Sequence, residues 1–414
     1  MHEAMLELLR CPFCGTRVSL VENDSLVHVA TRIDSGVIGC ECCAFPIVAG
    51  IPVMISNDTT KDAIRALEAG RQEKALFGLL GLAEDVARIE AFQALFARRK
   101  PATFREALAI FSLDAEGSYF VYRLSDPTYI VAEALLQALG QQRWPVAGHC
   151  LDLCGGLGHL TRILSNLRPT GSNVIADLYF WKLWLAARFT SPACTPVCCD
   201  ANQPLPFTKD IFSLVVLADA FPYIWHKRLL SEEMIRLSGR DGVLVMPHLH
   251  SAHGENVSAG DTLTPVAYRN LFLPQQPRLF SDEQLFAELL DHHTIDLTRN
   301  ISPTAFRSEP ALTLIASRRE DLFRPYNVPD GAEVFGEVTV NPLYQVERRG
   351  KSSILTLTFP TPEYEAEFGA CRRYLPDTVT VDADLSRTIR PTELGNDYAE
   401  LRRRRVLIDA PLYY

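Results

Sequence analysis

The stretch HCLDLCGGLGHLTRILS, from His149 to Ser165, decides how the rest of the chain is read. It opens with a short apolar run, passes through a glycine-rich turn and closes with leucine and isoleucine at helical spacing. Strand, tight turn and helix make the start of a βα unit whose turn bends around a ligand. The turn itself narrows the choice of ligand. A phosphate-cradling loop ends in Gly-Lys-Ser/Thr, and the segment GGLGHL contains no lysine. A dinucleotide fingerprint counted from Gly156 and Gly158 needs a third glycine at position 161, which is Thr161. What remains is an acid, a turn and Gly-x-Gly: Asp152, then Cys154, Gly155, Gly156 and Gly158.

Outward from this unit, strand and helix patterns alternate over residues 146–318. SNVIADL, CTPVCCD, FSLVVLAD and GVLVMP read as strands, with TIDLTRN and PALTLIAS as the two that close the sheet. Helical patterns separate them, so a mostly parallel sheet covered by helices is expected. His248 to Phe280 reads as a long loop interrupting the alternation, and long loops in compact domains are usually functional. Residues 58–145 have apolar residues at three- and four-residue intervals and read as a helical lid. Its last helix is punctuated by Asp126, Pro127 and Gly140. Residues 319–414 alternate like strands between proline-rich joins and read as a β-rich extension.

The 414 residues exceed one typical domain. Hydrophobic residues make up 47% and charged residues 22%, an ordinary globular balance. No apolar run approaches the ~20 residues of a membrane span. The N-terminus MHEAMLELLR lacks the basic start and long apolar run of a secretory signal. The eleven cysteines are therefore read as metal ligands or core residues of a cytoplasmic protein. A net charge of −9 argues against a nucleic-acid partner. Composition leaves self-association open.

Residues 1–57 carry Cys11-Pro-Phe-Cys14 and, 25 residues on, Cys40-Glu-Cys42-Cys43. Two pairs, each with two intervening residues, suit a tetrahedral thiolate site for zinc built from Cys11, Cys14, Cys40 and Cys43. Cys42 in place of Cys43 is the alternative. Four thiolates leave no open position, so such a zinc is structural. A unit this small gains from it, because structural zinc contributes ~10 kcal/mol or more of folding energy in small fingers.

LELLRCPFCGTRVSLV together with IGCECCAFPIVAGIPVMI resembles the small zinc-ribbon proteins that partner and stabilise methyltransferases, including those acting on tRNA and release factors. Phe45 stands where bacterial relatives have tyrosine. The glycine turn resembles motif I of class I S-adenosylmethionine (SAM) dependent methyltransferases, with Cys154 at the position of the first glycine of Asp-x-Gly-x-Gly-x-Gly. The resemblance implies a Rossmann-like α/β methyltransferase sheet preceded by a zinc ribbon. It also implies that the glycine backbone meets the amino-acid end of SAM. Asp177, 19 residues after Gly158, ends the second strand where a carboxylate accepts from the ribose hydroxyls. Asp200 ends the third strand, in a segment like the family's D…LPF stretch near the adenine. Leu178 and Ala201 beside these acids, Asp219 after the fourth strand, and Arg123 as a partner for the cofactor carboxylate complete the implied cofactor set.

Transfer to a hydroxyl, amine or acid calls for a positioned base. His248, His250 and His253 follow the fifth strand at the carboxyl edge, where ligands of open α/β sheets bind. Tyr223, with Trp225 and His226, follows the fourth. The catalytic candidates are thus His248, His250 and Tyr223; a metal held by His248 and His250 is the weaker variant. Arg402 to Arg405 form a charge run, read first as a solvated face and only second as a patch for an anionic substrate or RNA. The expected activity is SAM-dependent methyl transfer to a small or medium-sized metabolite, such as a sugar-containing or secondary-metabolite intermediate. RNA or protein methylation, and transfer or cyclisation of the aminocarboxypropyl arm of SAM, are the alternatives.

Overall fold

The computed structural model describes the chain apart from residues 113, 143–147, 169–172, 256–259, 329–333 and 386–397. The boundary expected near residue 145 therefore lies outside the described residues. Seven strands form the central sheet: β6 (His149–Leu153), β7 (Asn173–Asp177), β8 (Thr195–Cys198), β9 (Phe212–Val216), β10 (Val243–His250), β11 (Pro277–Ser281) and β13 (Ala311–Ala316). Their order is β11-β13-β10-β9-β6-β7-β8. β13 is antiparallel to both of its neighbours, while β6 to β10 run parallel. This is a Rossmann-like α/β sheet. The chain reverses its direction of travel across the sheet at β6, between β7 and β9, and that switch point is where such sheets open a crevice.

Side chains alternate across the sheet with period two. Cys150, Leu214 and Val216 face one apolar core, and Leu151, Leu153 and Val215 face the other. The first core is closed by α6 (Pro127–Gly140), α7 (His159–Leu167), α11 (Asp282–His292) and the C-terminal extension. The second is closed by α9 (Lys227–Ser238), α10 (Pro265–Leu271) and the N-terminal ribbon. The ribbon strands β1 (Ser19–Val21), β3 (Arg32–Gly39), β4 (Ala44–Val48) and β5 (Ile51–Pro52) are antiparallel neighbours, and β2 (Val27–Val29) joins β3. The ribbon is fastened to the sheet edge through backbone. Met54 donates to the Cys198 carbonyl at 2.7 Å, and Arg10 to that of Pro206 at 3.0 Å. Phe45 is fully buried.

Five helices, α1 (Asp58–Glu68), α2 (Gln72–Leu79), α3 (Val86–Ala97), α4 (Phe104–Phe111) and α5 (Ala115–Tyr122), lead into α6. Asn57 and Thr103 form reciprocal capping boxes at the starts of α1 and α4. A third apolar core binds them to α8 (Phe180–Leu185). The extension contributes the pair β15 (Glu337–Val340) and β19 (Leu407–Ala410), and the three-stranded sheet β16 (Tyr344–Arg349), β17 (Ser352–Leu357), β18 (Thr378–Val381). It packs on α5 to α7. Arg162 pairs with Asp409 at 2.8 Å, and the Tyr374 hydroxyl donates to the Ser125 carbonyl.

Two expectations change. The stretch from His248 to Phe280 is not one long loop: β10 runs on to His250, α10 follows, and Pro277–Ser281 is a strand of the sheet. TIDLTRN supplies β12 (Thr294–Asp296), which pairs with β14 (Pro325–Asn327) outside the central sheet. PRLFS has too little alternation to announce a strand, and its partner β13 lies more than thirty residues further on.

Candidate active site

The turn after β6 is built by close approach. Gly155 donates to the Ala176 carbonyl at 3.2 Å, and a Cβ there would stand 2.8 Å from both the Asp152 carboxyl and Ile175. Gly158 has φ +77° and opens α7, a backbone shape that favours glycine. Cys154 takes φ +56° with a side chain present. Asp152 lies buried under the turn, where it accepts from the Thr161 hydroxyl at 2.6 Å. Burial pushes its carboxyl up to about 6.

Asp177 ends β7 with one carboxylate oxygen accepting from the Gly156 N–H at 3.0 Å and the other from the Tyr179 N–H at 2.9 Å. An ionised carboxylate has about four lone-pair directions, so each oxygen keeps one for a further donor. That suits two ribose hydroxyls, and the residues present fit SAM at this end. Burial raises the Asp177 carboxyl above its ordinary range, with Lys182 opposing the shift. Leu178, 43% exposed, lies beside it. Asp200, after β8, accepts from the Asn202 N–H at 2.8 Å, and Ala201 is buried between them.

Arg123 does not stand free for a cofactor carboxylate. Its buried guanidinium donates to Asp126 at 2.7 Å, to Thr128 at 2.6 Å and to Asp219 at 2.7 Å. Asp126 caps α6, so the cation is held where helix start and sheet edge meet. The Tyr119 hydroxyl also donates to Asp219, at 3.1 Å, and the Arg123 guanidinium lies 4.9 Å from the Tyr119 ring centre. Both contacts use Asp219 Oδ2. Its Oδ1 is buried without a hydrogen-bond partner.

At the end of β10, the three-residue step from Met246 to Leu249 faces the two-residue step from Leu314 to Leu312 on β13. The extra residue makes a β-bulge, and Pro247 sits where no ladder N–H is needed. His248 takes φ +54° inside it. Its Nδ1 is 2.8 Å from Asp282 Oδ2, and Asp282 Oδ1 accepts from the Thr313 hydroxyl at 2.7 Å. His250 is buried, its ring 5.1 Å from that of His248, and its Nδ1 has no partner. Burial lowers the His250 pKa, and the neighbouring His248 lowers it further. Burial also acts to lower that of His248, but the hydrogen bond to Asp282 and the charges of Asp282, Asp219 and Asp126 leave it raised. His253 turns away, with Nδ1 2.7 Å from the Phe306 carbonyl. Tyr223 is exposed on the short turn after β9. Asp282 and Thr313 were not among the sequence candidates. Asp282 reads locally as a helix-start acid, which it also is.

In the ribbon, the four sulfurs close enough to share a metal ion belong to Cys11, Cys14, Cys40 and Cys42, all within 4.8 Å of one another. Spacing pointed to Cys43, whose sulfur lies 3.5 Å from that of Cys42 but is not among these four. Sulfur separations of 3.8 Å (Cys11–Cys42), 3.6 Å (Cys14–Cys40) and 3.5 Å (Cys40–Cys42) approach the edge of about 3.8 Å expected of a tetrahedron with Zn–S bonds of ~2.3 Å. The residues fit zinc. The Cys43 carbonyl accepts from the Cys40 N–H at 2.9 Å, closing a tight turn that contains Cys42. Among the described residues no other group of three or more His, Cys, Asp or Glu meets the same criterion.

No family model matches the chain. No curated protein matches it. Solved structures do. A chain of the complex between the Haloferax volcanii Trm112 methyltransferase activator and a methyltransferase is similar at 16% identity, over 49% of this chain and 97% of that one, with a TM-score of 0.34. A SAM-dependent methyltransferase from Aquifex aeolicus is similar at 13% identity, over 50% and 98%, with a TM-score of 0.32. Geranyl diphosphate C-methyltransferase from Streptomyces coelicolor, solved with S-adenosyl-L-homocysteine, is similar at 14% identity, over 45% and 75%, with a TM-score of 0.33. No described helix is long and apolar enough to cross a membrane.

Proposed function

We propose that the protein transfers the methyl group of SAM to a small or medium-sized metabolite, with His248 as proton acceptor. The carrying observation is Asp177. Its two oxygens are anchored by backbone N–H groups beside the glycine turn and keep lone pairs for the ribose hydroxyls. Asp200 and Ala201 border the adenine end, and the backbone of Gly155, Gly156 and Gly158 the amino-acid end. Zinc on Cys11, Cys14, Cys40 and Cys42 has a structural role, pinning the ribbon that packs on the sheet edge. The arginine run supports a small acceptor over RNA: Arg405 is ion-paired with Glu133, and Arg403 pairs with Glu400 at 2.5 Å. SAM would supply an electrophilic methyl on its sulfonium. The chain's part is to orient the acceptor and take its proton.

Calorimetry with SAM, followed by mass spectrometry of a native extract incubated with the protein and methyl-labelled SAM, tests this reading. A labelled product supports it. Products carrying the aminocarboxypropyl arm instead would replace methylation with the other use of the cofactor.

A further inference from the structure

Resting on that reading, we propose that Asp282 is a positioning residue that fixes His248 with Nδ1 protonated and Nε2 open, and that the acceptor this base serves is an uncharged hydroxyl compound.

Three strands bring the pair together. Leu312 of β13 lies opposite both Leu249 of β10 and Ser281 of β11. His248 and Asp282, each one residue from that register line, flank Thr313. The bulge and the positive φ of His248 take it out of the regular ladder, and its ring meets Asp282. Such a backbone shape persists where the surroundings enforce it, and here they do so beside the proposed cofactor crevice. The Thr313 hydroxyl engages the second Asp282 oxygen, so the carboxylate has one orientation in which to meet Nδ1. A carboxylate at Nδ1 selects the Nδ1–H tautomer and steadies the imidazolium formed when Nε2 takes a proton.

The chemistry of the surroundings selects the acceptor. A carboxylate or phosphate nucleophile needs no base, and it would meet Asp219, Asp282 and Asp126 with the buried Arg123 guanidinium already engaged. A neutral amine attacks without losing its proton first. A hydroxyl is the poor nucleophile for which a built base is required. The buried, unpartnered Asp219 Oδ1 adds an acceptor for a second O–H on the same molecule. In the step, an oxygen lone pair forms the O–CH3 bond as the S–CH3 bond breaks and its electrons stay on sulfur. The O–H proton passes to His248 Nε2. Sulfonium and neutral imidazole thereby become thioether and imidazolium, and charge balances.

The test has two arms. The first uses the protein labelled with 15N-histidine, with His248→Gln to assign the signal. Its ring shifts should report the Nδ1–H tautomer in the wild type and a mixed or Nε2–H state in Asp282→Asn, with the circular dichroism of the folded protein retained. An Asp282→Asn spectrum identical to wild type overturns the positioning role. In the second, native extract is incubated with the protein and 13C-methyl SAM, and the carbon shift of the product reads the methylated atom. An O-methyl ether is expected. In Asp282→Asn the rate should fall at least tenfold and the acid limb of its pH profile move to lower pH. Labelled N-, C-, S-methyl or methyl-ester products overturn the hydroxyl assignment while leaving methyl transfer intact. Failure of SAM to bind, or binding with no labelled product, overturns the underlying reading instead.

Discussion

His248 Nδ1 stands 2.8 Å from Oδ2 of Asp282, a residue 34 positions later that starts the helix after β11, the strand beyond β13 in the sheet. The contact holds the His248 pKa above the usual imidazole value against the opposing effect of burial. A base must be neutral to work, so the rate should fall as pH drops through a point above ~6.5. His248→Gln should lower the rate by roughly 10²-fold or more. In His250→Gln the acid limb should persist, because burial keeps that ring neutral at lower pH. Rate profiles of both variants with native extract as acceptor check this. The same raised pKa sets a stability trend. The pair's contribution is complete below the unfolded imidazole value of ~6.5 and is lost as pH rises through the folded one.

Asp177→Ala should weaken SAM binding by about ten- to a hundredfold, since two ribose hydroxyls and the Gly156 N–H lose their acceptor, at roughly 1–3 kcal/mol. Calorimetry measures it. Unchanged affinity would remove the cofactor from this sheet edge.

Cys42→Ser should strip the metal and destabilise the ribbon, whereas Cys43→Ser should keep one zinc per chain. The cluster gathers Cys42 and leaves Cys43 outside it. Elemental analysis of the two purified variants decides between them, and zinc retained by Cys42→Ser alone would restore the choice made on spacing.

Arg123→Met should cost about 3–5 kcal/mol, because it leaves the buried Asp126 carboxylate without its cation. Urea unfolding checks the magnitude. SAM affinity of the folded fraction should change little, as the guanidinium is already committed to protein carboxylates; a large loss would return Arg123 to the cofactor.

Much of the fold was legible in the chain because it rests on local patterns. Short apolar runs ending at Leu153, Asp177 and Val216, the capped helix at Asp126, and glycines at 155, 156 and 158 each carry their physical cause within a few residues. Cysteine spacing likewise announced a thiolate cluster, though not which of two adjacent cysteines enters it. That depends on a turn closed by the Cys40 N–H and the Cys43 carbonyl.

Sequence alone therefore determined the class of sheet, the glycine turn and the acids at the strand ends, since strand periodicity and turn chemistry are properties of neighbouring residues. Tertiary structure decided the rest. It made PRLFS a sheet strand, spent Arg123 on Asp126 and Asp219, and set Asp282 against His248. Those outcomes depend on register between strands far apart in the chain and on which charges burial forces together. Neither is written in any short stretch of residues.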